Sequence, residues 1–162
     1  MESVINNRLV KLEDDELYWF NSHCRGVERK KPKWIKFKQS DSVTRGRNYK
    51  RIMIFNRVYK VHRVIYKLHN PEWNIDDNST LNQIDHIDQN TINNNIQNLR
   101  VVTNQQNSWN RNFKGYSWDK SVNKWRVRIM LNGESINGGY FVNEEDAINK
   151  REELKLKHHQ IN

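Results

Sequence analysis

The residues best suited to chemistry lie in a stretch without a single lysine or arginine. Residues 71–98 carry a net charge of −5, and within them Asp85 and His86 stand side by side. In an extended segment, neighbouring side chains point to opposite faces, so the two groups would do different work. An imidazole with a pKa of about 6.5 accepts a proton from water near neutral pH. A carboxylate is the hard oxygen ligand that Mg²⁺ prefers. Cys24 is the only cysteine, which excludes both an intramolecular disulfide framework and a cysteine-rich zinc site.

The pair is followed by Asp88-Gln89-Asn90, Asn94-Asn95, Asn98-Leu99-Arg100 and Thr103-Asn104-Gln105-Gln106-Asn107. An Asp-His, an Asn-Asn, an Asn-Leu and a final helical Asn, in that order, resemble the HNH nuclease motif, most closely that of the phage and group I intron homing endonucleases. Asn98 lies twelve and Asn107 twenty-one residues after His86. The resemblance implies a ββα-metal fold and metal-dependent hydrolysis of DNA, leaving a 5′-phosphate and a 3′-hydroxyl. It implies His86 as the general base, Asp85 and Asn107 as ligands of one divalent ion, and Asn98 as the residue that holds the loop and orients His86. Asn rather than His at the final position favours Mg²⁺ or Mn²⁺. Gln89 stands where the family commonly has glycine, which implies an altered turn after Asp88. Two other readings share these residues: a DNA-binding regulator with a degenerate HNH unit, and a restriction or repair nuclease.

The elements that must hold these residues are short. Ile84 to Ile87 reads as an extended piece, followed by an Asn-rich loop to Asn98 and a strand over residues 99–102. Thr103 is a good N-cap for a helix running to about Asn110. Upstream, residues 13–20 read as a helix with an acidic start, residues 34–38 as a strand, and residues 51–55 and 58–61 as a hairpin around Asn56-Arg57. Residues 61–69 read as a helix with Val61, Ile65 and Leu68 on one face, ended by Asn70-Pro71. His62 reads as a packing or phosphate-contacting residue rather than a second base, Cys24 as a small, partly buried side chain, and His158-His159 as a frayed terminal pair.

Downstream, residues 115–118, 124–129 and 138–141 read as three strands, with Asn132-Gly133 as a hairpin turn. Asn143 caps a closing helix to about Lys157, whose Ala147, Ile148, Leu154 and Leu156 cover one sheet face. The other face is left open, with Arg126, Arg128 and Lys120 on it. Gly115-Tyr116-Ser117-Trp118, the strictly alternating residues 124–129, Gly139-Tyr140-Phe141 and Glu144-Glu145-Asp146-Ala147 resemble the plant ethylene-response-factor DNA-binding domain. That family lays its three-stranded sheet in the major groove, which the resemblance implies for the arginine face here.

Composition agrees with a polyanionic partner. The 162 residues carry a net charge of +9 and a pI near 9.7, with residues 41–70 at +7 and residues 99–130 at +6 on either side of the acidic centre. Two basic blocks around a small acidic site fit a polyanion gripped on both sides of a metal ion. The expected DNA contacts are Arg45, Arg47, Arg51 and Arg63 in the first block, and Arg100, Arg111, Trp118, Lys120, Arg126 and Arg128 in the second. Six Trp, six Tyr and five Phe provide enough apolar area to fold and argue against disorder. Asn is unusually common, at 24 residues against one Ala. No apolar run is long enough for a membrane span, and the first residues lack the apolar stretch of a signal peptide. The expectation is an α+β protein: an N-terminal β-rich lead-in with helices (1–70), a central ββα-metal HNH motif (71–112) and a C-terminal three-stranded antiparallel sheet with one helix (113–162). It would act as a cytoplasmic, non-secreted monomer on double-stranded DNA with one Mg²⁺ or Mn²⁺ and no membrane partner.

Overall fold

Pairs of residues that tolerate positive φ organise the chain into hairpins. Asn6-Asn7 (φ 48° and 58°), Asp14-Asp15 (49° and 59°), Phe55-Asn56 (44° and 58°) and Asn132-Gly133 (53° and 83°) each close two adjacent strands. Two left-handed residues in succession make the turn whose twist matches a β-hairpin, and Asn, Asp and Gly adopt it at least cost. The computed structural model describes residues 1–24, 27–44, 46–111 and 113–160; Arg45 lies outside the described residues, as does the side chain of Cys24.

The chain divides into two units, Met1–Val101 and Val102–Asn162. In the first, β1 (Glu2–Ile5), β2 (Arg8–Glu13), β3 (Glu16–Cys24) and β4 (Val27–Lys36) form a four-stranded antiparallel sheet. A three-stranded sheet follows, of β5 (Ser40–Thr44), β6 (Arg47–Ile54) and β7 (Arg57–Lys60). Helix α1 (Val61–His69) comes next, then the paired strands β8 (Gln83–His86) and β9 (Leu99–Val102).

One expectation fails here. Residues 13–20 are a hairpin, not a helix, because their side chains alternate between two occupied faces. Leu17 is buried and Trp19 packs on the core, whereas Phe20 lies against Trp34 at 5.2 Å on the other side. A smaller correction concerns the later hairpin, whose turn is Phe55-Asn56 rather than Asn56-Arg57. The amide of Asn6 donates to the carbonyls of Ile54 (2.8 Å) and Phe55 (3.2 Å), and the Arg8 guanidinium covers the Phe55 ring at 3.9 Å. Those contacts hold an aromatic residue in a conformation it would otherwise avoid.

Helix α1 spans residues 61–69 as expected, with Val61, Val64, Ile65 and Leu68 buried. They join Ile5, Val10, Leu17, Ile52 and Ile54 in one core, which also takes in Ile84 from β8 and Leu99 from β9. The β8–β9 pair has little apolar material of its own and is anchored through these two side chains. Burying a side chain of that size contributes about 1.5–3 kcal/mol.

The second unit holds α2 (Asn104–Trp109), strands β10 (Tyr116–Asp119), β11 (Lys124–Leu131) and β12 (Glu134–Phe141) in one antiparallel sheet, and α3 (Glu144–His158). Thr103 caps α2 through a full capping box with Gln106. Asn143 occupies the N-cap of α3, but its amide bonds Asp146 Oδ2 at 3.4 Å instead of a backbone N–H. Val127, Ile129, Ala147 and Leu154 make the core between sheet and helix. Gly138 permits their approach, since a Cβ there would sit 2.7 Å from Val127 and 2.8 Å from Leu154. Ile148 and Leu156 are exposed, so the expected helix face is narrower than four residues. His159 is no frayed end: its ring stacks on Trp109 at 4.6 Å and its Nε2 bonds the carbonyl of Met130 at 3.1 Å. Among the described residues no helix is long and apolar enough to cross a membrane.

Candidate active site

Between β8 and β9 the chain makes a loop whose many asparagines have a mechanical explanation. Asp88, Asn90, Asn93 and Asn95 each accept, through a side-chain oxygen, the backbone N–H two residues ahead. Such Asx turns let a polar loop satisfy its own backbone without a partner strand. Asn98 closes it. Its Oδ1 accepts from the backbone N–H of Asp88 at 2.9 Å, and its Nδ2 donates to Asp88 Oδ1 and to the carbonyl of Asn93, both at 2.8 Å. Hydrogen bonds from Asn93, from the Asn90 backbone and from Asn98 hold the Asp88 carboxyl below its ordinary pKa. Gln89 takes the left-handed conformation, φ 64°, that the absent glycine would have supplied freely. For a side-chain-bearing residue that conformation costs about 1 kcal/mol.

Asp85 and His86 end β8, and both are buried. Asp85 Oδ2 accepts a fork from Arg100 on β9, Nε at 3.0 Å and Nη2 at 2.9 Å. His86 Nε2 lies 3.2 Å from Asn94 Oδ1. Because that amide oxygen only accepts, Nε2 carries the proton and the lone pair is on Nδ1. Burial pushes the His86 pKa down, opposed by the Asn94 hydrogen bond and by Asp88 and Asp85. The ring of His62, from the first turn of α1, stands perpendicular to that of His86 at 4.9 Å, and Tyr49 of β6 lies near both, 5.6 Å from His62 and 6.4 Å from His86.

Residues 59–109 match the family model described as HNH endonuclease. That span starts one residue before Lys60 and takes in His62, the β8–loop–β9 unit and α2. It is an HNH endonuclease domain. Protein 3.8 of Escherichia phage T7 is 37% identical over 62 residues, covering 33% of this chain and 51% of that protein. The chain thus spans about half the length of the curated relative it matches. No solved structure matches.

Within the HNH domain, Asp85, His86 and Asn98 fall together on the β8–loop–β9 unit, while Asn107 lies on α2, past the boundary between the two units. Asn98 holds the loop, and the amide bonded to His86 is that of Asn94. The expected DNA contacts fare differently. Arg100 is turned onto Asp85. Arg63 is turned inward, donating to the carbonyls of Ile75 (2.7 Å), Asp77 (2.8 Å) and Asn82 (3.1 Å) and covering the Trp73 ring. It therefore fastens the loop before β8. Arg47 and Arg51 lie on β6 of the first unit. In the second unit, Arg128 and Trp118 are exposed on the sheet, and Lys120 sits in the turn after β10 rather than on a strand. Arg126 is half-buried over the Tyr140 ring, and its Nε, like that of Arg111, is buried without a hydrogen-bond partner among the described residues.

Sequence reading underrated His62 and gave Asn94 no role. Helical spacing held the signal for the first, since residue 62 shares a face with the buried Ile65. The second stood in the Asn-Asn element of the motif.

His62 also predicts how stability varies with pH. Burial first, then His86, Lys60 and Arg63, keep its pKa well below 6.5 in the fold. The unfolded chain, with His62 near its ordinary value, binds the proton more readily. Stability is therefore complete above about pH 6.5 and is lost as pH falls from there toward the folded value, at up to about 1.4 kcal/mol per pH unit for one such group. Urea unfolding of metal-free protein at pH 7.5 and 5.5 measures this. His62→Phe should flatten the difference, and an equally steep loss in that variant would exclude His62 as its source.

Proposed function

We propose that this chain is a metal-dependent, site-specific DNA endonuclease or nickase of the homing type. The observation that carries the reading is His86, buried beside Asp85 in the HNH domain with its tautomer set by Asn94. A neutral imidazole with its lone pair on Nδ1 is a base poised for water at pH 7.

The donor set suits a hard cation. Among the described residues no three His, Cys, Asp or Glu side chains gather at one point, as a zinc cage would need. Asp85, with the amide oxygen that the HNH resemblance assigns to Asn107, suits Mg²⁺ or Mn²⁺, which keep several waters and take few protein ligands. When bound there, the ion supplies charge neutralisation at the scissile phosphate and the departing 3′ oxygen. His86 Nδ1 takes one proton from the attacking water as its oxygen bonds to phosphorus. The bond to O3′ breaks, leaving a 5′-phosphate and, after protonation from solvent, a 3′-hydroxyl. Asn94 keeps the imidazole in that tautomer, and Asn98 keeps the loop that presents Asn94.

Incubating the protein with long DNA and Mg²⁺, then comparing native and denaturing gels, tests this and separates nicks from double-strand breaks. Cleavage that EDTA stops is expected. A protein that binds DNA and cuts neither strand under any divalent ion would instead be the DNA-binding regulator.

The second unit would supply sequence recognition, in the manner of the ethylene-response-factor sheet, through Arg126 and Arg128. Replacing both by alanine should weaken cognate DNA far more than random DNA, since each good bidentate contact to guanine is worth about 1–3 kcal/mol of discrimination. Affinities for the two duplexes at one salt concentration decide it. Equal losses would make this face a phosphate clamp.

A further inference from the structure

Strand register sets two cations directly against each other beside the HNH site. Arg51 of β6 and Lys60 of β7 are opposite partners in the antiparallel ladder. Like charges at such positions repel and are destabilising. Three neighbouring cations are spent elsewhere: Lys50 on Asp41 at 2.7 Å, Arg57 on Asp76 at 2.9 Å, and Arg63 on backbone carbonyls. Among the described residues Arg51 reaches only the Thr44 hydroxyl, at 3.4 Å. Lys60 is half-buried, has no acidic or hydrogen-bonding partner among the described residues, and lies over the Tyr49 ring at 4.5 Å. Burial, Arg51 and Arg63 all push its pKa down. Holding an ammonium there costs folding energy, and among the described residues only the Tyr49 ring offsets part of it.

The surroundings say what would repay that cost. Side chains two apart on β6 share a face, so Tyr49 and Arg51 stand together, with Ser42 opposite Tyr49 and Ser40 opposite Arg51 on β5. Hydroxyls and cations without a carboxylate among them are the lining a phosphate needs. Tyr49 in turn contacts His62 and His86.

We infer that Arg51 and Lys60 together form a binding site for one phosphate of the DNA backbone, flanking the scissile phosphate. It is flanking because the same Tyr49 ring neighbours both Lys60, at 4.5 Å, and His86, at 6.4 Å. The phosphate converts a repulsive pair into a bridged one, so the site is unfavourable empty and favourable filled. The position relative to the scissile bond rests on the nuclease reading, whereas the phosphate site itself does not.

The test uses full-length protein in EDTA, where binding is measured without cleavage. Duplex affinity is followed against salt for wild type, Lys60→Met, Arg51→Gln and the double variant, with the Tm of each. Neutralising one phosphate contributes about 0.9 to the slope of log K against log salt. The double variant should lose about one such unit, not two, because the residues share one phosphate. Each single variant should bind about tenfold more weakly, as expected for the loss of a charge-assisted contact. Each Tm should hold or rise, and Lys60→Arg should keep the wild-type slope. An unchanged slope in the double variant, a loss of two units, or a fall in the Tm of Lys60→Met would each overturn the inference. Wild-type protein that shows this slope and cuts no DNA with Mg²⁺ would sink the nuclease reading and leave the phosphate site standing.

Discussion

Alanine at His86 should lower the single-turnover rate of DNA cleavage by about 10²–10⁴-fold, the usual contribution of a positioned general base. DNA affinity should hardly change. The imidazole is buried and meets Asn94, His62 and Tyr49, so it is not among the exposed cations that neutralise phosphates. Truncation also removes a buried ring and leaves a cavity, which costs a few kcal/mol of stability. The control is Asn94→Ala, which keeps the ring but frees its tautomer and should cut more slowly than wild type while retaining part of the rate. Rates at saturating enzyme and a separate affinity measurement in EDTA distinguish chemistry from binding. Full-rate cleavage by His86→Ala would remove His86 from the mechanism.

Asp85→Ala should have the other large effect, and comparison with its partner makes it specific. Asp85 is bonded to Arg100, and under the proposed nuclease reading it is also the ligand of the divalent ion. Losing the carboxylate removes a hard ligand worth several kcal/mol of transition-state stabilisation, or about 10³-fold in rate. It also leaves Arg100 without its ion pair, at a cost of about 2–3 kcal/mol once partial exposure of the guanidinium is allowed for. Arg100→Met breaks the same pair and should cost similar stability, yet it should keep Mg²⁺-supported cleavage. Titrating activity against Mg²⁺ for both variants, with urea unfolding beside it, separates the roles. Equal losses of activity in the two would show that Asp85 acts only by holding β9, and the ligand assignment would fall.

What the sequence by itself determined is local. The bounds of α1 and β9, the capping box at Thr103 and the turn at Asn132-Gly133 follow from residues within a few positions of one another, where helix periodicity, side-chain capping and left-handed φ act. Asp85, His86 and Asn98 were singled out through the resemblance to the HNH motif, and the fold places all three on one short β8–loop–β9 unit. Tertiary structure decided the rest. Residues 13–20 pair β with β because Trp34 and the core, both distant in sequence, occupy their two faces. Arg63 and Arg100 turn inward because backbone carbonyls and Asp85 are brought within their reach. His62 becomes a neighbour of His86, and Arg51 an opponent of Lys60, only once α1 packs on β6 and the β6–β7 register is set. A side chain's charge and shape are written in its own position, but its partners are chosen by chain segments folded against it from elsewhere, which no local spacing encodes.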